Sequence, residues 1–367
     1  MKKIRVNLGE RSYTILIGKN ILSSLGRFLK AFDFGKKVIV VSRKPITSHF
    51  YGTVRNSLAR AGFGVSLYKV PYSDDRNKAL PVLSELWGEM INRNLDRDGG
   101  IVALGGGTIG DLTGFAASTY KRGVPLVQVP TTLLAQVDSS IGGKTAINLP
   151  LAKNIVGTFY QPRMVVSDVE TLATLSVKEF RHSFAEVIKY GVIKDPELFA
   201  LLERKGAWFI KAKTFRKPQL SFLETIIWRS ARIKADVVER DEYETKDERI
   251  ILNYGHTFAH ALEAASKFRI QHGEAVARGM ILAGDLACRM GIFSEKDQQR
   301  QINLIHTISV PKKYRFTSEQ LLPFMRRDKK VRNGKLRFVL PVKIGRVKVF
   351  DDVPEKLVKR VLEDNRG

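Results

Sequence analysis

The stretch GGIVALGGGTIG, residues 99–110, reads as a buried strand running straight into a glycine turn. Residues 101–104 are all apolar, and Gly105, Gly107 and Gly110 then follow in the order G-x-G-x-x-G. Glycines at these positions let the backbone approach a pyrophosphate, whose charge sits well at a helix N-terminus. The acidic residue that usually follows about 20 positions on is missing. Nothing acidic lies between Asp111 and Asp138. The spacing therefore gives a phosphate-binding strand–turn–helix without establishing a standard dinucleotide site.

The pattern on either side of this turn sets the fold class. KIRVNLGE and RSYTILIG read as a hairpin around Gly9 and Glu10, KVIVVS (37–42) as a buried strand, and ITSHFYGTVRNSLARAG as a helix stopped at Gly62. GVSLYKVP is another strand, 78–93 a helix, and PLVQVP (125–130) the strand after the glycine turn. Strands alternating with helices predict a mainly parallel, Rossmann-like α/β sheet with helices on both faces. Beyond about residue 175 helical periods dominate, over 178–193, 218–240, 250–267 and 273–291, and strand signals return only in KLRFVLPVKIGRVKVF. Two domains are expected, an α/β domain over 1–175 and a mostly α-helical one over 176–367.

Composition narrows the function classes. No apolar run approaches the roughly 18 residues of a membrane span. The start, MKKIRVNLGE, lacks an apolar stretch after its lysines, so no signal peptide is expected. The single cysteine, Cys288, excludes an internal disulfide and a thiolate metal cluster and fits a reducing cytoplasm. A formal net charge of +25 favours an anionic partner. No RNP, zinc-finger or helix-turn-helix signature accompanies that charge, so specific nucleic-acid binding is not expected. The basic stretches RKGAWFIKAKTFRK (204–217) and RRDKKVRNGKLR (326–337) read first as solvated surface.

Two further segments carry chemistry. In VPTTLLAQVDSSIGGKTAIN (129–148), Thr131 and Thr132 follow a strand end, where ligands of open sheets gather. Asp138, Gly142, Gly143 and Lys144 form a small polar cluster there, and Lys153 and Asn154 follow shortly after; together they suggest a basic pocket, without the spacing of an ATP P-loop. In LNYGHTFAHALE (252–263), His256 and His260 lie one helical turn apart, with Glu263 behind them and His272 just beyond. Three imidazoles can hold zinc, although the spacing matches no standard zinc signature. A carboxylate from elsewhere is the natural further ligand. Spacing does not choose it, and Glu186 in FAEVIKYG is one of many candidates.

LGGGTIGDLTGFAASTYKRG, VPTTLLAQVDSSIGGKTAIN, KNIVGTFYQP, FAEVIKYG, LNYGHTFAHALE and HGEAVARGM occur in this order. Together they closely resemble the 3-dehydroquinate synthase family, over nearly the whole chain. The resemblance implies a phosphate-eliminating lyase of the shikimate pathway that converts 3-deoxy-D-arabino-heptulosonate 7-phosphate into 3-dehydroquinate and phosphate. The implied sequence is transient oxidation with NAD, β-elimination of phosphate, reduction, and intramolecular aldol closure. A cytoplasmic homodimer is implied as well.

The resemblance also distributes roles. Zinc or cobalt is held by Glu186, His256 and His272, and His260 becomes a substrate-side hydrogen-bonding or proton-transfer residue. The NAD site falls on Gly107, Thr108, Ile109, Gly110 and Asp111, on Thr131, Thr132, Asp138, Lys144 and Lys153, and on Thr171, Leu172, Ala173 and Thr174. Substrate is met by Arg122, Asp138, Lys144, Asn154, Lys189, Lys234, Arg249, Asn253 and His260, with Lys329 or Lys330 completing the set. Of these, Lys144, Lys189, Lys234, Arg249, Asn253 and His260 are the implied catalytic residues. The chain departs from the family at SDDRNK (73–78), where Asp-Gly-Glu-x-x-Lys is common; Asp75 stands in for the glutamate, and Lys78 keeps its place. Rival readings are another sugar-phosphate cyclase and a metal-dependent polyol dehydrogenase of the same superfamily.

Overall fold

The structure, a computed structural model, describes residues 1–32, 34–150, 152–211, 217–308, 313–326 and 336–367. It divides into two compact units. Met1–Leu175 and Phe215–Tyr243 form the first, Ser176–Thr214 and Glu244–Gly367 the second.

The first unit is built on a seven-stranded sheet. Its strands are β1 (Lys2–Val6), β2 (Tyr13–Gly18), β3 (Lys37–Ser42), β4 (Gly64–Lys69), β5 (Gly100–Gly105), β6 (Leu126–Pro130) and, after the hairpin β7 (Lys144–Leu149) and β8 (Ala152–Phe159), β9 (Met164–Asp168). The order is β1-β2-β9-β6-β5-β3-β4, with β1 antiparallel to β2 and every other pairing parallel. Residues of β5, β6 and β9 are buried throughout, as near-continuous apolar runs with helices on both faces must be. Alternation along β5 divides the core. Ile101 and Ala103 pack with Leu83, Leu86 and Leu112, whereas Val102 and Leu104 pack with Leu25, Val54 and Leu58. The register pairs Val41 with Ala103 and Gly105 with Pro130, so β3, β5 and β6 end at one edge of the sheet, where ligands of open α/β sheets bind.

Two features of this unit differ from the sequence expectation. The β7–β8 hairpin and β9 are additional to the strands the sequence pattern predicts. β8 is exposed along most of its length and shows no apolar alternation from which a strand could be read. The helix Lys217–Arg240, expected within the C-terminal domain, belongs to the first unit. It covers the outer edge strand. Arg232 donates to the carbonyl of Arg5, Glu239 accepts from the backbone N–H of Asn7, and Lys2 stands over the Trp228 ring. A sheet edge left open is a liability, and a covering helix satisfies its backbone groups. A change in hydrophobic period marks the element and says nothing of which sheet edge needs it.

The second unit is mainly helical, with Val177–Ile193, Pro196–Lys211, His256–Ala265, His272–Arg289, Glu295–Ile308, Ser318–Arg326 and Glu355–Asp364, beside the antiparallel hairpin β10 (Phe338–Lys343) and β11 (Arg346–Phe350). Val177–Ile193 starts with a capping box in which Ser176 and Glu179 satisfy each other's backbone donors. The single helix expected over 250–267 is broken. A 3-10 stretch, Glu248–Asn253, precedes Gly255, whose φ of +77° starts a separate helix at His256. That positive φ favours glycine, and it sets where the first histidine stands.

Candidate functional site

Three helices of the second unit bring one carboxylate and two imidazoles to a point. Glu186 lies on the buried face of Val177–Ile193, and His256 and His272 are the first residues of their helices. Their donor atoms all lie within 4.8 Å of one another. Oε1 of Glu186 is 3.4 Å from Nε2 of His256 and 3.6 Å from Nε2 of His272. One carboxylate and two histidines form the donor set of a catalytic zinc or cobalt site that keeps a position for substrate, so the residues fit such an ion. The third histidine of the sequence motif, His260, is exposed, and its ring stands edge-on to that of His256 at 5.5 Å between centroids.

Charges around this point are strongly perturbed. Burial favours protonation of Glu186, but Lys189 and the two histidines outweigh it and hold the carboxyl well below its usual range. Lys189, one helical turn on and only 2% exposed, forms an ion pair with the second oxygen of Glu186. Burial drives His256 down to about 4 despite its contact with Glu186. Burial also opposes charge on His272, but hydrogen bonds and charges from Glu186 and Glu263 overcome it and raise the ring to about 10. Nearby, Arg249 is buried with Glu244 3.5 Å away, and Asn253 ends the 3-10 stretch ahead of Gly255.

Glu263 is the residue the sequence reading named but gave no role. Its Oε1 lies 3.3 Å from Nδ1 of His272. The signal was present: positions 256, 260 and 263 share one face of a helix, so a carboxylate two turns below His256 returns to the same neighbourhood.

In the first unit, polar residues gather at the C-terminal edge of the sheet. The helix Gly107–Thr119 opens directly from β5, and no side chain caps its first turn, which leaves its first backbone N–H groups open to an anion. Lys78 is buried and bridges Asp111, at 2.5 Å, and Asn154. Burial pushes Asp111 up against the opposing charge of Lys78. Asp75 accepts from Thr108 and from Asn148, each at 3.1 Å, and pairs with Lys153 at 3.4 Å. Lys234, from the helix covering the sheet edge, meets Asp138 through both its carbonyl at 2.7 Å and its carboxylate at 2.9 Å. Thr131 is buried at the end of β6, and Thr132 caps the following turn by accepting from the N–H of Ala135. Lys144 is exposed at the start of β7.

The other predicted positions differ in exposure. Thr171 and Leu172 are buried, and Thr171 is tied to the Asp168 carbonyl and to Gln136, whereas Ala173 and Thr174 are exposed. Arg122 is exposed at a turn with φ of +63°. Lys329 and Lys330 lie outside the described residues.

Residues 68–182 match the family model described as 3-dehydroquinate synthase N-terminal, and residues 183–331 match the one described as 3-dehydroquinate synthase C-terminal. The chain belongs to the 3-dehydroquinate synthase family. Among relatives of the 3-dehydroquinate synthase family, the 3-dehydroquinate synthase of Crocosphaera subtropica is 45% identical over 364 residues, covering 98% of each chain. Among solved structures, the 2-epi-5-epi-valiolone synthase ValA of Streptomyces hygroscopicus subsp. jinggangensis, with NAD+ and Zn2+ bound, aligns with a TM-score of 0.87 at 26% identity over 98% of both chains. A 2-deoxy-scyllo-inosose synthase complexed with carbaglucose-6-phosphate, NAD+ and Co2+ aligns with a TM-score of 0.83 at 25% identity, over 99% of this chain and 100% of that one. This chain thus shares its fold, an α/β unit and a mainly helical one, with cyclases whose structures hold NAD+ and Zn2+ or Co2+.

Proposed function

We propose that this chain is a 3-dehydroquinate synthase, releasing phosphate from 3-deoxy-D-arabino-heptulosonate 7-phosphate and closing the carbocycle, with NAD and zinc or cobalt as cofactors. The carrying observation is the convergence of Glu186, His256 and His272 in a chain that matches this family along nearly its whole length. Glu186, His256 and His272 hold the metal. The uncapped first turn at Gly107–Asp111, with Thr131, Thr132, Lys153 and Asp75 at the same sheet edge, holds the nucleotide. Bound metal supplies polarisation of an alcohol oxygen, and bound NAD supplies a hydride acceptor that is regenerated each turnover.

The remaining work falls to side chains. His260, exposed beside the buried His256, takes the hydroxyl proton at a ring nitrogen and can return it. Lys189 and Arg249, both buried, are fixed cations for an acidic phosphorylated substrate, and fixed charge needs no reorganisation as the phosphate leaves. Asn253 orients substrate by hydrogen bonding. By family resemblance, Lys144 and Lys234 are further catalytic cations, and Arg122, Asp138 and Asn154 contact substrate. A departing phosphate oxygen accepts the proton from carbon as the C–O bond breaks, so elimination calls for no separate strong base.

Identity of 45% to 3-dehydroquinate synthases, against 25–26% to the valiolone and inosose cyclases, favours dehydroquinate as the ring formed. The cytoplasm is the proposed location. No helix of the described residues is long and apolar enough to cross a membrane. A homodimer is proposed from the family. The test is incubation with the heptulosonate phosphate, NAD and zinc. Phosphate release without net NADH accumulation, abolished by a chelator, is expected. Stoichiometric NADH without phosphate release would replace this reading with a polyol dehydrogenase.

A further inference from the structure

We propose that Glu263 is a positioning residue of the metal centre, holding the Nδ1–H of His272 so that Nε2 of that ring faces Glu186. The inference rests on the metal reading above and adds a residue to it. His272 lies between two carboxylates, with Nδ1 3.3 Å from Oε1 of Glu263 and Nε2 3.6 Å from Oε1 of Glu186. An imidazole that offers Nε2 to a metal must carry its proton on Nδ1, and an acceptor at Nδ1 fixes both that tautomer and the plane of the ring.

The two histidine ligands obtain this support differently. Nδ1 of His256 lies 3.1 Å from the carbonyl of Tyr254, in the turn just before its helix, and the side chain is only 11% exposed. Packing and a backbone acceptor suffice there. The His272 side chain is 38% exposed, so its surroundings restrain it far less. The less enclosed ligand is the one held by a charged acceptor, and hydrogen bonds to charged groups are the stronger kind.

Glu263 has no competing task among the described residues. Among the described residues, His272 is the only hydrogen-bond or ion-pair partner of its side chain, which is 14% exposed. Among the described residues, a carboxylate so enclosed that neither caps a helix nor meets a lysine or arginine owes its place to the histidine. It is also well placed to keep the ligands in step. It shares a helix with His256, and that helix packs closely on the one that begins at His272: a Cβ on Gly279 would lie 2.1 Å from the carbonyl of Gly255.

The experiment compares metal-free wild type, Glu263→Ala and Glu263→Gln by Zn2+ titration against a chromophoric chelator and by the visible spectrum of the Co2+ form. Each substitution is repeated in a His272→Ala background. E263A is expected to weaken Zn2+ about 10–100-fold and to shift the Co2+ bands. E263Q, whose amide oxygen still accepts, is expected to lose less, and it decides the matter if E263A does not fold. In the His272→Ala background, neither change should cost further affinity, because the interaction is already gone. Wild-type affinity and spectrum in E263A, or in E263Q should E263A not fold, overturns the proposal. An equal loss with and without His272 also overturns it, since Glu263 would then act on the fold alone. A wild-type protein that takes up neither ion overturns the metal reading itself.

Discussion

Oε1 of Glu186 lies 3.4 Å from Nε2 of His256, although the two residues come from different helices well separated in the chain. Such a contact places a buried carboxylate oxygen beside a ring nitrogen, where one ion can be met by both. Glu186→Gln keeps the shape and removes the charge. Its loss of metal affinity should exceed the roughly 10–100-fold typical of outer-shell changes. Phosphate release should fall with it, and a chelator should reproduce the effect in wild type until zinc or cobalt is restored. Metal content by elemental analysis checks this; an E186Q protein that retains one tightly bound ion would remove Glu186 from the ligand set.

Lys189 is as deeply buried as its partner, at 2% exposure for both side chains. Breaking such a pair by removing one member leaves a charge in a poorly solvating interior. Lys189→Met, close in volume, should lower the unfolding free energy of metal-free protein by about 3–5 kcal/mol. Added zinc should recover part of that loss by compensating Glu186. Urea melts with and without metal measure both effects, and equal stability of the variant and wild type would contradict the buried-pair account.

How much of this was legible in the sequence depended on the kind of signal. The strand before Gly105 and the helix after it could be read because apolar runs and glycine spacing are local. The helix breaks at Gly255 because of one backbone angle, which a 3.6-residue period spanning 250–267 cannot register. β8 escaped notice because its side chains are mostly exposed and carry no alternation. At the metal centre, helical spacing linked His256 to His260, whereas the donors that meet are His256, His272 and Glu186. Only family resemblance chose that set, since no local period connects residues on three helices. Glu263 was in view, two turns below His256, but its partner is fixed by how two helices pack, and that is a tertiary fact.

The close approach of those helices gives a further expectation. A Cβ at position 279 would lie 2.1 Å from the carbonyl oxygen of Gly255, and backbone cannot yield as a flexible side chain would. Gly279→Ala must push apart the helices that begin at His256 and His272. A stability loss of about 1–3 kcal/mol is expected from overpacking. Metal affinity should fall too, although no ligand is altered. Thermal melts and zinc titration test the two together; tight metal binding in a destabilised G279A would show that the ligands do not depend on this contact.

Asp75 offers a test of pH dependence away from the metal. Burial favours its protonated form, but Lys78, Lys153, Asn148 and Thr108 together outweigh this and hold its carboxyl below the ordinary 3.8. A carboxyl depressed by folding contributes stability above its unfolded value, and that contribution is lost as pH falls through the folded one. Wild type should therefore exceed Asp75→Asn in stability at neutral pH, with the gap closing below about pH 4. The Asp75 side chain is 43% exposed, so solvent screening keeps the difference small. NAD affinity should fall in the same variant at neutral pH, because Thr108 on the glycine turn and Lys153 on β8 lose their shared anchor. Urea melts at several pH values and nucleotide titration by fluorescence measure the two effects. A stability gap that persists unchanged into acid would mean that the Asp75 carboxylate is not what holds these segments together.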